Sequence, residues 1–254
     1  MKKQILGLAL LAGMVFSGSV FTACSSSDDG GGSQGPVVNG KKLVKMRRDT
    51  TYVYTYNSKG QIIMEAIGPY VTNYVYEDNR ITRSNGGPTT VYFLENGRIV
   101  RDSTYYSSSY YEYDNDGQLT MVREIPTSGS YYSSSSYVKL TWDKGNIVKM
   151  EGESTNSYSS LVSEYTYKNE GNVLSINDPS PVDPVLWTQG FFGKRCSNLL
   201  EKEVTTINYN DGTVSESTAT YDYTSENGVI TQMICTRMSD TGRVSTTIVS
   251  FTWE

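Results

Sequence analysis

Tyr111-Glu112-Tyr113-Asp114-Asn115-Asp116-Gly117-Gln118-Leu119 is the stretch whose reading decides the fold. Aromatic, polar and aromatic residues alternate with period two, the pattern of a half-buried strand. A polar turn follows and closes on glycine, which supplies the positive φ that tight hairpin turns demand. A polar residue and an aliphatic one then open the return strand. The stretch reads as one β-hairpin.

The same order recurs along the chain. Tyr52-Val53-Tyr54-Thr55-Tyr56 leads through Asn57 and Gly60 to Ile62, and Tyr74-Val75-Tyr76 leads through Asn79 to Ile81. Tyr92-Phe93-Leu94 leads through Asn96-Gly97 to Ile99, and Leu140-Thr141-Trp142 through Lys144-Gly145 to Ile147. Tyr165-Thr166-Tyr167 precedes Glu170-Gly171 and Val173-Leu174; Tyr221-Asp222-Tyr223 precedes Asn227-Gly228 and Val229-Ile230. Short hairpins in series predict an antiparallel meander, and lone hairpins are too weak to leave their aromatic face uncovered. Rolling the sheet up covers that face and removes its edges. The fold is therefore read as all-β, a long meander of serial hairpins rolled into a barrel-like sheet over residues 41–254.

The pattern breaks between Asn177 and Leu200. Pro179, Pro181 and Pro184 cannot donate to a central ladder. Leu186 to Lys194 is apolar and flanked by glycine. It suits either a short helical turn that plugs the core or a loop lid. In the second case Trp187, Phe191 and Phe192 would cover a ligand. Strands resume through Glu203–Tyr209, Ser215–Tyr223, Val229–Met238 and Arg243–Trp253.

The N-terminus carries a different message. Lys2-Lys3, an uncharged apolar run from Ile5 to Phe16, and Phe21-Thr22-Ala23 before Cys24 form a secretory signal peptide over residues 1–23. Ser25 to Gly40 is a Ser/Gly/Asp tether of the flexible-coil type, so residues 24–40 link an anchor to the domain. Beyond the signal no apolar stretch approaches the length of a spanning helix. The chain carries a net charge of -5, and its Lys and Arg are scattered, which argues against nucleic acid. It has no histidine, which removes Ser-His-Asp, Cys-His and histidine-metal chemistry together. No metal or other cofactor is expected. With Cys24 taken as the anchor, Cys196 and Cys235 remain, able to form a disulfide in an export compartment or to stand as buried thiols.

Resemblances to known families add to this. The Tyr-x-Tyr-Asp-x-x-Gly-x-Leu unit at Tyr111 to Leu119 is similar to the YD repeats of Rhs-type proteins, which build β shells from hairpins. The whole arrangement (signal and Cys24, acidic tether, Tyr-rich hairpins, Gly190-Phe191-Phe192-Gly193-Lys194 and Asn198-Leu199-Leu200) resembles the Bacteroidetes lipoprotein family of domain of unknown function 4595. That resemblance implies a porin-like, barrel-like fold over Lys41 to Glu254 and brings no catalytic residues to carry over. The segment ending at Cys24 resembles a bacterial lipoprotein signal, which implies lipidation of Cys24 and an outer-membrane anchor. The serines and aspartates after it resemble a surface-export signal, which implies display to the cell exterior. The residues opposite the tyrosines, including Glu164, Thr166, Lys168, Thr220 and Asp222, do not suit a lipid-facing wall. The barrel is therefore expected to be soluble rather than membrane-spanning.

Tyr105-Tyr106, Tyr110-Tyr111 and Tyr131-Tyr132 stand among serines, a composition that offers rigid amphipathic contact area with adaptable hydrogen bonding. These tyrosines, with Trp187, Phe191 and Phe192, are the candidate ligand-binding residues. The expected function is a non-enzymatic, surface-displayed binding lipoprotein for a glycan or protein ligand. The alternatives are a structural or accessory subunit of an outer-membrane complex and a histidine-free hydrolase working through paired carboxylates.

Overall fold

The computed structural model describes residues 37–38, 40–127, 135–154, 159–171 and 178–254. The signal peptide, Cys24, most of the tether, Tyr131 and Tyr132 lie outside the described residues.

The first strands are β1 (Val37–Val38), β2 (Lys41–Arg47), β3 (Thr51–Tyr56), β4 (Ile62–Ile67), β5 (Tyr70–Tyr76) and β6 (Arg80–Ser84). There follow β7 (Thr90–Glu95), β8 (Arg98–Ser103), β9 (Ser107–Tyr113), β10 (Leu119–Pro126), β11 (Ser136–Asp143) and β12 (Asn146–Ser154). The chain ends with β13 (Ser159–Gly171), helix α1 (Pro184–Thr188), β14 (Asn198–Tyr209), β15 (Val214–Glu226), β16 (Val229–Ser239) and β17 (Val244–Trp253). From β2 to β17 every strand pairs antiparallel with the next, and β17 pairs with β2. The result is a closed sixteen-stranded meander, the barrel that the hairpin pattern predicts. The two-residue β1 adds only a short pairing with Lys41 and Lys42.

The hairpin unit explains how the interior is built. Strands β2, β4, β6 and β8 contribute Leu43, Ile62, Ile81 and Ile99; β10, β12, β14 and β16 contribute Leu119, Ile147, Leu200 and Ile230. All eight are buried, forming an aliphatic girdle with one residue per return strand. Burying such a side chain stabilises the fold by roughly 1.5–3 kcal/mol. Beneath the girdle lies a second layer from the outgoing strands: Tyr54, Tyr74, Tyr92 and Tyr111, then Leu140, Tyr165, Tyr221 and Phe251, again all buried.

The second aromatic of each unit ties its hairpin to the preceding one. Tyr76, Tyr113, Tyr167 and Tyr223 donate their hydroxyls to the carbonyls of Ile62, Ile99, Ile147 and Leu200 at 2.6–2.9 Å. Tyr56 does the same to Leu43. Trp142 and Trp253 substitute an indole N–H, donating to Leu119 and Ile230 at 2.8 Å. Leu94 occupies this place in the unit beginning at Tyr92 and has no polar group to offer.

The eighth unit is split by the chain ends. Phe251-Thr252-Trp253 supplies its outgoing strand and Leu43 its return, with Trp253 opposite Leu43 in register. Glu254 and Lys42 exchange backbone hydrogen bonds across the seam. Another unit departs from the sequence reading: the hairpin begun at Tyr165 takes its girdle residue from Leu200, because residues 172–197 are inserted into its turn.

Every hairpin but β5–β6 carries a bulge beside its girdle residue; in β15–β16 it lies at Ser225 opposite Ile230, two residues past Tyr223. The outer wall is mixed: Lys139, Glu164, Lys202 and Asp222 are exposed and Lys149 pairs with Glu151 at 2.8 Å, while Val53, Val71, Val75 and Ile248 are exposed on β3, β5 and β17. Strands β3 to β9 run five to seven residues, whereas β12 to β17 run nine to thirteen, so the wall is short on one arc. A membrane-crossing strand needs about 9–11 residues and an apolar outer band. Among the described residues no helix is long and apolar enough to cross a membrane.

Candidate functional site

The barrel has two unlike ends. At one, Asn96-Gly97, Lys144-Gly145 and Asn227-Gly228 make two-residue turns with both residues at positive φ, the form that matches strand twist. Asn57 and Asp114 shape the turns at Gly60 and Gly117 by accepting two backbone N–H groups each through Oδ1. Lys42 and Glu254 pair at this end. The opposite rim carries the connections at 48–50, 68–69, 85–89, 104–106, 210–213 and 240–243.

The tight-turn end is closed by residues 178–197, which thus act as the plug, one of the two alternatives the sequence leaves open. Trp187, Phe191 and Phe192 are buried in it. Phe192 meets Tyr111 edge-on at 4.9 Å between ring centroids, and Phe191 stacks on Tyr76 at 5.6 Å. Ladder bulges leave girdle N–H groups pointing inward, and the plug accepts them: Ile62 N–H donates to Gln189 Oε1 at 3.0 Å and Ile99 N–H to the Phe191 carbonyl at 2.8 Å. Ile147 N–H reaches Cys196 Sγ at 3.4 Å. Gly193 is required for contact, since a Cβ there would sit 2.2 Å from the Gly117 carbonyl oxygen with φ at +85°.

The pairing open to Cys196 and Cys235 is not made. Both are thiols: Cys196 is buried in the plug beside Tyr167, whereas Cys235 lies on β16 opposite Tyr221. Burial pushes the Cys196 thiol well above its usual range, so it stays protonated and inert.

Below the aromatic layer the interior turns polar. Asp183 caps α1 by accepting Leu186 N–H at 3.0 Å, and its carboxylate lies 3.1 Å from Arg83 and 3.3 Å from the Tyr74 hydroxyl. Glu65 stands beside this pair. Burial first, and then the charge of Asp183, push its carboxyl up to about 7, against the opposing pull of Arg83 and a hydrogen bond from Tyr54. On another arc Glu203 lies 3.3 Å from Arg237 and accepts from Tyr221 at 3.1 Å. Asp102 accepts from the Tyr111 hydroxyl and from Ser109 N–H. Burial raises the carboxyls of Asp102, Asp183 and Glu203 alike. These acids were not nominated from the sequence. The bulge after Ile62 shifts the alternation by one residue, so Glu65 faces inward where simple period two would point it out.

The tyrosine candidates separate by strand phase. Tyr105 is 78% exposed and Tyr106 49%, and they pack edge-to-face at 5.0 Å on the rim opposite the plug. Tyr110, four residues down β9, is 41% exposed on the outer wall. Tyr111, next in sequence, points inward and is 8% exposed. Trp187, Phe191 and Phe192 lie at the far end from Tyr105. Among the described residues the candidates form no single cluster; Tyr105, Tyr106 and Tyr110 are the accessible ones.

A closed, internally plugged all-β barrel defines the class. The chain belongs to the family described as domain of unknown function (DUF4595) with porin-like fold, whose profile matches residues 42–232. A crystal structure of a porin-like protein from Bacteroides vulgatus is similar over 84% of this chain and 98% of that one, with a TM-score of 0.61 at 15% identity. The structure of TcdB2-TccC3 without its hypervariable C-terminal region aligns over 81% of this chain and 14% of that one, with a TM-score of 0.31 at 13% identity. No curated protein matches the chain.

Proposed function

We propose that the protein is a non-enzymatic binding lipoprotein, held in the outer membrane by acyl chains on Cys24 and presenting the rim opposite its plug to the cell exterior. The observation that supports this reading is the polarity of the barrel: β2 enters beside the plug, whereas Tyr105 and Tyr106 stand on the opposite rim. A tether from Cys24 to Lys41 would attach at the plugged end and leave the paired tyrosines on the rim away from the attachment point. Exposed aromatic rings beside Ser107, Ser108 and Ser109 suit a glycan, whose apolar ring faces stack while its hydroxyls hydrogen-bond.

The buried carboxylates serve the fold in this reading. Glu65, Asp102, Asp183 and Glu203 are each engaged by hydroxyl or guanidinium groups inside the wall. The test is surface labelling of intact cells together with a glycan array probed by wild-type protein and a Tyr105→Ala/Tyr106→Ala variant. Labelling, with glycan binding lost in the variant, is the expected result. Absence of label from intact cells would overturn the display, and equal binding by the variant would overturn the rim site.

A further inference from the structure

Strand register gathers a row of side chains that sequence spacing scatters. Arg80 lies opposite Phe93, Phe93 opposite Arg101, and Arg101 opposite Tyr110. Tyr110 lies opposite Arg123, and Arg123 opposite Tyr137. Arginine and aromatic side chains thus alternate across six neighbouring strands, β6 to β11. Their sequence neighbours Ile81, Tyr92, Asp102 and Tyr111 are buried inside, which sets the row on the outer wall. Strands lie about 4.8 Å apart, so like groups recur every 9–10 Å or so along the row.

The three arginines differ. Arg80 is paired with Glu77, and Arg123 with Glu112 at 3.1 Å. Arg101 instead stacks on Phe93, its guanidinium carbon 4.2 Å from the ring centroid, and has no carboxylate partner among the described residues. Stacking fixes the plane of the guanidinium and leaves its fork of donors for an outside acceptor; that fork matches carboxylate and sulfate oxygens two at a time. Tyr110 flanks it on the other side, and a pocket of about 290 Å³ opens further along beside Arg123 and Tyr137.

Resting on the reading of the protein as a surface binding lipoprotein, we propose that Phe93, Arg101 and Tyr110 form the anion-recognising core of a wall-side strip that binds an acidic glycan, one bearing uronate carboxylates or sulfates. The closed sheet favours a glycan over an acidic peptide, because it offers no strand edge for a peptide backbone to pair with. A repeating polymer also fits a repeating row. With a net charge of -5, the chain as a whole repels polyanions, so binding must come from this local arrangement.

The experiment measures binding of the full chain to polygalacturonate, chondroitin sulfate, neutral dextran and poly-glutamate. Binding to polygalacturonate or chondroitin sulfate, but to neither dextran nor poly-glutamate, is expected, and the two acidic glycans separate carboxylate from sulfate recognition. Arg101→Gln should weaken it roughly 10- to 100-fold, the worth of a charge-assisted contact. Arg101→Lys, which keeps the charge without the fork, should fall between; Lys202→Gln on β14 should bind as wild type. Unchanged binding by an Arg101→Gln protein of wild-type melting temperature would overturn the strip, as would equal binding of poly-glutamate or no binding of either acidic glycan. Dextran binding lost in Tyr105→Ala but kept in Arg101→Gln would overturn the strip while leaving the surface-binding reading intact.

Discussion

Arg83 of β6 and Asp183 of the plug lie 3.1 Å apart inside the barrel, and this contact between wall and insertion is shadowed by a second carboxylate, Glu65. One guanidinium thus serves two acids. A proton on Glu65 leaves the cluster neutral, and its loss leaves a buried net negative charge.

Stability should therefore fall as the pH rises through neutrality. The Glu65 carboxyl moves from 4.5 in the unfolded chain up to about 7 in the fold. The folded state holds a proton that the unfolded chain has lost, so the Glu65 contribution is complete below pH 4.5 and disappears as pH rises through 7. Asp102, Asp183 and Glu203 shift in the same direction. Denaturant titrations across this range should show Glu65→Gln flattening the profile and stabilising the protein at pH 8 by roughly 2–3 kcal/mol. An unaltered slope would contradict the assignment.

Asp183→Asn should reverse the sign of that substitution. Without Asp183 the strongest charge opposing Glu65 ionisation is gone, so the Glu65 carboxyl moves down and takes over Arg83. Adding Glu65→Gln in this background strands the guanidinium and should cost about 3–5 kcal/mol. A double-mutant cycle on chemical denaturation reads the coupling directly.

Tyr113→Phe removes one of the inter-hairpin ties and leaves the Ile99 carbonyl without its 2.6 Å donor. A loss of about 1 kcal/mol is expected, with girdle packing retained. The natural Leu94 shows that one missing tie is tolerated. Thermal unfolding of the Phe variant checks the magnitude; a loss above about 3 kcal/mol would mean that the ring itself had moved.

Trp253→Ala should cost about 3–5 kcal/mol, since it empties a partly buried position at the seam and removes the donor to Ile230. Deleting residues 37–47 should do more, exposing the edges of β3 and β17 and converting a closed sheet into one prone to self-association. Size-exclusion chromatography separates the two outcomes: a monomer for Trp253→Ala and higher-order species for the deletion.

Much of the architecture was legible because each hairpin repeats its own instructions. Tyr-x-Tyr, a turn ending in glycine and an aliphatic residue reveal strand, turn and buried phase together. The seam was less legible, because Phe251-Thr252-Trp253 lacks the turn that completes the pattern and Leu43 begins its return at the other end of the chain. Val173-Leu174 looks like the completion of the Tyr165 unit, yet Leu200 fills that place, since local pattern cannot show a long insertion inside a turn. The site suffered more. Tyr110 and Tyr111 read alike in a serine-rich run, whereas alternation sends one to solvent and the other to Asp102. Phe93, Arg101 and Arg123 are distant in sequence, and only register joins them.

The split eighth unit has one further consequence. Glu254 and Lys42 already sit as neighbours, so a short glycine-bearing bridge would restore an ordinary hairpin and erase the break. Opening the chain instead at the exposed turn around Gly212 would move both ends to the opposite rim. The same ring, circularly permuted, would then carry its leading segment on the rim of Tyr105 and Tyr106 instead of beside the plug. Where the ring is cut thus decides which rim carries the tether.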